Sequence, residues 1–342
     1  MKKILLIVPV YNIQNSVIPD YLGLTLAAIL NQKASFQVDL VVTDTVSSDS
    51  FITTLSNYLQ EKKIETQFNG MVKIVHNALD PVRVYLAFNI AMRLFKNGNY
   101  DLYIYCSDDT VLTQSTDLET IIKTFEDSNA AIVSGRVDKD HIGMYTGYDM
   151  DNPYPLKVAI GENVNLHCMA FSKYFMERYD FKYMDILSGI GTESFLSFFC
   201  AAIEKDWVVC NKVKLVNYKY HHKHVKDKKD HGRTFGFMTY KNIKTFKELI
   251  EPGISVGIGF EGFRANPSHS KMLNKHAVKQ RRLGKPEFMY RPDFWCCHDS
   301  NCYNENGRSK NPQKLYEYIK NNFFVSNDFL NYDILVNSVK VI

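Results

Sequence analysis

DLYIYCSDDTVL, residues 101–112, runs through Leu-Tyr-Ile-Tyr and then sets two carboxylates, Asp108 and Asp109, side by side. An apolar run of this length reads as a strand buried in a parallel sheet, and open α/β sheets bind their ligands at the carboxyl ends of such strands. Ser107-Asp108-Asp109-Thr110 also has the composition of a turn that N-caps a following helix. On this stretch alone both readings stand.

Three more segments have the same character: KKILLIVP at 2–9, FQVDLVVT at 36–43 and MVKIVHN at 71–77. Between them lie patterns of helical length and spacing, at 18–32, 51–63 and 81–98. Strand and helix alternating at this pitch give βαβ units with right-handed crossovers and a parallel sheet. Met1-Lys2-Lys3 followed by ILLIV imitates the start of a signal peptide. However, Pro9 interrupts the run, Tyr11-Asn12 follow, and no small-residue cleavage site is in place, so the segment reads as the first strand. No G-x-G-x-x-G follows it and no G-x-x-x-x-G-K-[ST] occurs anywhere, which excludes the usual dinucleotide and P-loop cradles.

Composition is that of an ordinary globular chain, with 342 residues, 45% of them hydrophobic, and a formal net charge of +4. Seven scattered cysteines do not form a secreted disulfide framework and imply a reducing, cytoplasmic location. No stretch approaches the ~20 apolar residues of a membrane-spanning helix.

The opening PVYN at 9–12, the second strand running into VVTDTVSSDS at 41–50, and the fourth ending in CSDDT together resemble an inverting glycosyltransferase of the GT-A fold. The resemblance covers roughly residues 3–220. It implies an α/β fold: a Rossmann-like, mixed but mainly parallel sheet flanked by helices, with a C-terminal extension. The expected division is a catalytic domain at 1–220, with a nucleotide-sugar half at 1–110 and an acceptor half at 111–220, followed by a basic extension at 221–342.

By the same resemblance Asp44 recognises the donor nucleotide, Pro9, Tyr11 and Asn12 line its base pocket, and Arg83 is the basic residue near it. Asp109 is the metal ligand, for Mn²⁺ or Mg²⁺. Ser107 stands where the family's first acid is expected, so Asp108 is assigned to the donor ribose or sugar. DILSGIGTESFLSFF, from 185, resembles the family's acidic motif at a helix start, with Glu193 as general base. An inverting displacement needs such a base to take the acceptor proton. YHHKH at 220–224 falls where a histidine completes the metal site in several such enzymes; His222 and His224 share one side of an extended segment. The implied donor is a nucleotide-sugar, expected to be a UDP-sugar.

Two segments are strongly basic: 219–233 holds four His, six Lys or Arg and two Asp, and 271–291 holds seven Lys or Arg against one Glu. Such clusters suit a polyanion, so the acceptor can be a glycan, a small molecule or DNA, and a non-catalytic polyanion-binding module is the competing class. The glycines at 257, 259 and 262 read as a flexible lid, FWCCHDSNC at 294–302 is poorly spaced for zinc, and the tail from Pro312 reads as helical and then irregular.

Overall fold

The computed structural model of the chain describes residues 2–33, 35–77, 84–137, 156–157, 167–178, 196, 199–200, 202–218, 258–259, 294–295, 313, 317 and 339–342. Strand β1 (Lys3–Tyr11) is the centre, with Ile4 to Val8 fully buried. A strand covered on both faces has no polar side, which is why KILLIVPVY barely alternates. It pairs in parallel with β2 (Gln37–Thr45) on one side and β4 (Leu102–Cys106) on the other; β2 pairs in parallel with β3 (Val72–Asn77).

The sheet continues through β5 (Thr110–Leu112), β6 (Ala130–Val137), β7 (Leu156–Lys157), β8 (Cys168–Ser172) and β9 (Asp206–Asn217). β10 (Ile258–Gly259) and β11 (Phe294–Trp295) form a separate ribbon, and β12 (Lys340–Val341) returns to the main sheet. The order is β12-β3-β2-β1-β4-β8-β6-β9-β5, with β7 on β9. The expected mixed, mainly parallel α/β architecture is the one observed.

The helices follow from local chemistry. α1 (Asp20–Leu30) starts after Pro19, whose fixed φ suits a helix entrance. α2 (Asp49–Thr66) is capped by the Ser48 side chain, which accepts from Phe51 N at 3.2 Å, and it ends on Gln67 in the left-handed conformation. α3 (Val84–Phe95) and α4 (Asp117–Glu126) complete the crossovers, and α5 (Lys173–Arg178) is a short turn after β8.

On one face, Ile4, Leu6, Val8 and Val10 of β1 pack with Leu22, Leu26 and Ile29 of α1, Phe51 and Leu55 of α2, and Ile121 of α4. The other face carries an aromatic layer. Phe88 meets Tyr105 edge-on at 5.4 Å, and Phe175 meets Phe171 at 5.4 Å and Phe199 at 5.1 Å.

Two boundaries differ from the sequence expectation for physical reasons. β1 continues past Pro9 to Tyr11 because β4 pairs with it only as far as Ile7. Above that point β1 is locally an edge, where the missing N–H of proline costs no ladder bond on the open side. The tail does not end irregularly: Ile342 and Ile74 exchange both backbone hydrogen bonds, at 2.9 and 3.0 Å, so the last residues close the β3 edge.

At the amino end of the sheet, buried Asp39 collects four donors: Met71 N, Gln37 Nε2 and Tyr100 Oη, each at 2.9 Å, and Lys3 Nζ at 3.2 Å. Gly70 permits the first of these. Its φ is 153°, and a Cβ there would lie 1.7 Å from Val38 O. Burial pushes the Asp39 carboxyl up, but the hydrogen bonds together hold it below its ordinary value. Its stabilising contribution is therefore present above the ordinary carboxylate pKa and lost as pH falls through the depressed one. Asp39→Asn is expected to cost about 2 kcal/mol in urea unfolding at neutral pH. The gap from the wild type should close in acid; a gap that stays constant with pH would remove Asp39 as a charged anchor.

Candidate active site

The strand order reverses at β1, between β2 and β4, and at such a point the loops leaving the two flanking strands diverge and open a crevice. The chain above β1 and β2 is laced across it. Asn12, at φ 53°, donates its N–H to Thr45 O at 2.8 Å, Ile13 N donates to Ser47 Oγ at 2.9 Å, and Ser48 N donates to Ile13 O at 3.0 Å. Val46 lies at φ 54°, where a β-branched residue is strained by roughly 1–3 kcal/mol. Two bonds hold it there: Val46 N to Asn77 O at 2.9 Å, and Gln14 Nε2 to Val46 O at 2.7 Å.

The turn at Val46 folds Ser47 back onto Asp44. Asp44 is the penultimate residue of β2 and is buried. Its Oδ2 accepts from His76 Nδ1 at 2.7 Å and from Ser47 N at 3.4 Å. Its Oδ1 is buried and has no hydrogen-bond partner among the described residues. Burial pushes this carboxyl above its ordinary value, with the bonds from Ser47 and His76 and the charge on His76 acting against it. In the sequence His76 reads only as part of a strand. The available signal was its position: it is the penultimate residue of β3, and in-step parallel strands set penultimate residues side by side, Asp44 opposite His76.

Pro9 lies in β1 above the end of its pairing with β4, and Tyr11 is exposed at the rim with Asn12 beside it. These three and Asp44 share one corner of the sheet edge. Asp108 and Asp109 occupy the corner above β4, in a turn closed by Thr110 N to Ser107 O at 3.2 Å. The turn leads into β5 and not directly into a helix, so the N-cap reading does not apply.

Asp109 is held from β9. Asn217 Nδ2 donates to Asp109 Oδ1 at 2.9 Å and lies 3.2 Å from Thr110 Oγ1 and 3.1 Å from His167 Nδ1, while Tyr218 N donates to Asp109 O at 2.7 Å. An amide nitrogen only donates, so Nδ1 of His167 is the accepting nitrogen. Tyr21, in the first turn of α1, faces the same acids: burial and then the charges of Asp108 and Asp109 push its phenol well up, keeping it a neutral donor. Neither Asn217, His167 nor Tyr21 stood out in the sequence, since each joins the acids only through strand pairing or helix placement.

Among the described residues no group of three or more His, Cys, Asp or Glu gathers as a cage for a metal ion. The donor set that is present, two adjacent carboxylates at a strand end, fits Mg²⁺ or Mn²⁺, which take one or two protein carboxylates and complete their shell with substrate phosphate and water. Arg83, Glu193, His222 and His224 lie outside the described residues. Asn217→Ala removes the amide that orients Asp109 and is expected to weaken Mn²⁺ binding about tenfold, as loss of an outer-shell partner does. Mn²⁺ titration of the folded variant reads this directly; unchanged affinity would show that Asp109 needs no such anchor.

No curated protein matches the chain. Similar solved structures include a Pyrobaculum calidifontis mannosyltransferase, PcManGT, in complex with GDP-Man and Mn²⁺, at 16% identity over 64% of this chain with a TM-score of 0.47. TarS of S. aureus is 13% identical over 73% with a TM-score of 0.49, and GalNAc-T7 with UDP, GalNAc and Mn²⁺ is 12% identical over 63% with a TM-score of 0.47. The chain covers 58%, 40% and 43% of those three chains. No helix among the described residues is long and apolar enough to cross a membrane. The profile of glycosyl transferase family 2 matches residues 5–241, more than half of the sequence, and the chain belongs to that family.

Proposed function

We propose that the protein transfers a sugar, with inversion, from a nucleoside-diphosphate sugar, a UDP-sugar, to an acceptor hydroxyl. The observation that carries this reading is the pairing of two acidic corners across one sheet edge: buried Asp44, whose Oδ1 has no hydrogen-bond partner among the described residues, above β2, and the Asp108–Asp109 turn above β4. A nucleoside-diphosphate sugar needs a hydrogen-bond acceptor for its base or ribose and, separately, carboxylates that hold a divalent cation against its diphosphate.

In this reading Asp44 accepts a hydrogen bond from the nucleoside, with Pro9, Tyr11 and Asn12 forming the wall against which the base lies. Asp109 holds a divalent cation and Asp108 hydrogen-bonds the donor ribose or sugar. Mn²⁺ or Mg²⁺ bound there would neutralise the charge developing on the leaving diphosphate. Arg83 adds a fixed positive charge on the nucleotide side. His222 or His224 supplies a further ligand. Tyr218 N is bonded to Asp109 O, and His222 is four residues on, within about 14 Å of extended chain. Glu193 takes the proton from the acceptor hydroxyl as it attacks the anomeric carbon in a single displacement. Asn217 and His167 position Asp109, and Tyr21 stays neutral beside the same two acids.

The basic segments 219–233 and 271–291 favour an anionic acceptor, DNA among them, as a second reading of the acceptor side. A DNA acceptor predicts salt-sensitive retention of duplex DNA in a gel-shift assay, and a neutral-glycan acceptor predicts none.

The deciding experiment is calorimetric titration with UDP-, GDP-, CMP- and dTDP-sugars, each with and without Mn²⁺. Metal-dependent binding of the UDP-sugar is the expected result, and no binding across the panel would sink the transferase reading. Asp109→Ala should abolish the metal-dependent part. Glu193→Gln should keep donor binding while losing transfer by about 10²–10⁴-fold, the usual worth of a general base. Normal turnover in Glu193→Gln would remove it as the base.

A further inference from the structure

The two oxygens of Asp44 are unequal in a way that the transferase reading alone does not explain. Oδ2 already accepts from His76 Nδ1 at 2.7 Å and from Ser47 N at 3.4 Å, which engages both of its lone-pair directions. Oδ1 is buried, and among the described residues nothing donates to it. A buried carboxylate oxygen without a donor is costly, so its surroundings are built for a donor that arrives with a ligand.

The holder of Oδ2 is itself immobilised. His76 and Asp44 are register partners in adjacent parallel strands, and β12 closes the far side of β3 with Lys340 opposite His76 and Ile342 bonded both ways to Ile74. Ser47 is held by the strained turn at Val46 and by the Ile13 N–H on its hydroxyl. The carboxylate therefore cannot rotate to exchange its oxygens without breaking bonds to two separate elements.

We infer that His76 is a positioning residue that sets the base selectivity of the donor site: by occupying Oδ2 it leaves Asp44 with one acceptor, Oδ1, matched to the single ring N–H of a pyrimidine imide. Uracil and thymine present that N–H between two carbonyls. Guanine presents a ring N–H beside an exocyclic amine and asks for two acceptors at once, of which one is taken. Cytosine and adenine present a ring nitrogen that is itself an acceptor and opposes a carboxylate. His76 also favours the ionised acid, since its hydrogen bond acts against the upward push of burial. A neutral Asp44 would carry an O–H, and a carboxylic acid's donor and acceptor match cytosine.

This inference rests on Asp44 being the nucleoside acceptor, and the test separates the two. Calorimetry in Mn²⁺ compares UDP, dTDP, GDP and CDP on the wild type, His76→Leu, His76→Asn and Asp44→Asn. The wild type is expected to prefer UDP or dTDP over GDP and CDP by about tenfold or more, the worth of one charged hydrogen bond. The dTDP arm distinguishes thymine from uracil.

His76→Leu should narrow the UDP-to-CDP ratio by about tenfold, raising the donor KM with kcat retained. His76→Asn places an amide nitrogen where Nδ1 stands and should restore the ratio. Should His76→Leu fail to fold, His76→Gln replaces it, because its longer amide cannot stand at the Nδ1 position. An unchanged ratio in the Leu or Gln variant, a wild type that prefers GDP or CDP, or an Asn variant that loses binding to all four nucleotides equally would each overturn the role of His76. Asp44→Asn that binds all four as the wild type does would overturn Asp44 as the nucleoside acceptor, and with it the donor-site reading.

Discussion

Parallel pairing of β1 with β2 on one side and with β4 on the other is the constraint from which the rest of the molecule follows. Parallel strands held in step present their carboxyl ends at one edge, so the residues that close β2 and β4 have to face the same crevice. β4 stops pairing two residues short of Pro9, and the uncovered end of β1 becomes the floor between the two acidic corners. The helices and the aromatic layer serve this arrangement by burying both faces of the central strands, which fixes their register.

Two buried acids on one strand show how packing separates structure from function. Asp39, near the start of β2, receives four donors and its carboxyl is drawn down. Asp44, five residues on at the opposite end, receives two donors on one oxygen, and its carboxyl is pushed up. The first has every interaction its charge requires from the chain itself. The second leaves one oxygen without a donor among the described residues, and that cost is carried by the surrounding sheet, as is the strain at Val46 that turns Ser47 toward it.

Asp109 illustrates the same economy at the other corner. The end of β9 supplies the Asn217 amide to its side chain, and the next residue, Tyr218, supplies its N–H to the Asp109 backbone. The chain then leaves toward the histidine-rich segment from a point already fixed on the acid. An acid that is anchored before the ligand arrives loses little further freedom on binding, which is the advantage of preorganisation.

Much of this was legible in the residues. The apolar runs that form β1 to β4 and the helical spacing between them declared a mainly parallel α/β sheet, because burial on both faces leaves a pattern that does not alternate, and the acids could be placed at its strand ends. The C-terminal strand was not legible, since VKVI is short and its partner is far along the chain; only the open edge of β3 gives it a conformation. Nor were His76, Asn217, His167 and Tyr21, whose importance lies in register and not in identity. The sequence by itself determined which acids exist and on which strands they stand, because periodicity is a local property of the chain. The tertiary structure alone decided which groups hold each acid, and that Asp44 Oδ2 rather than Oδ1 is the engaged oxygen, because hydrogen-bond partners drawn from other strands are set by pairing across the sheet.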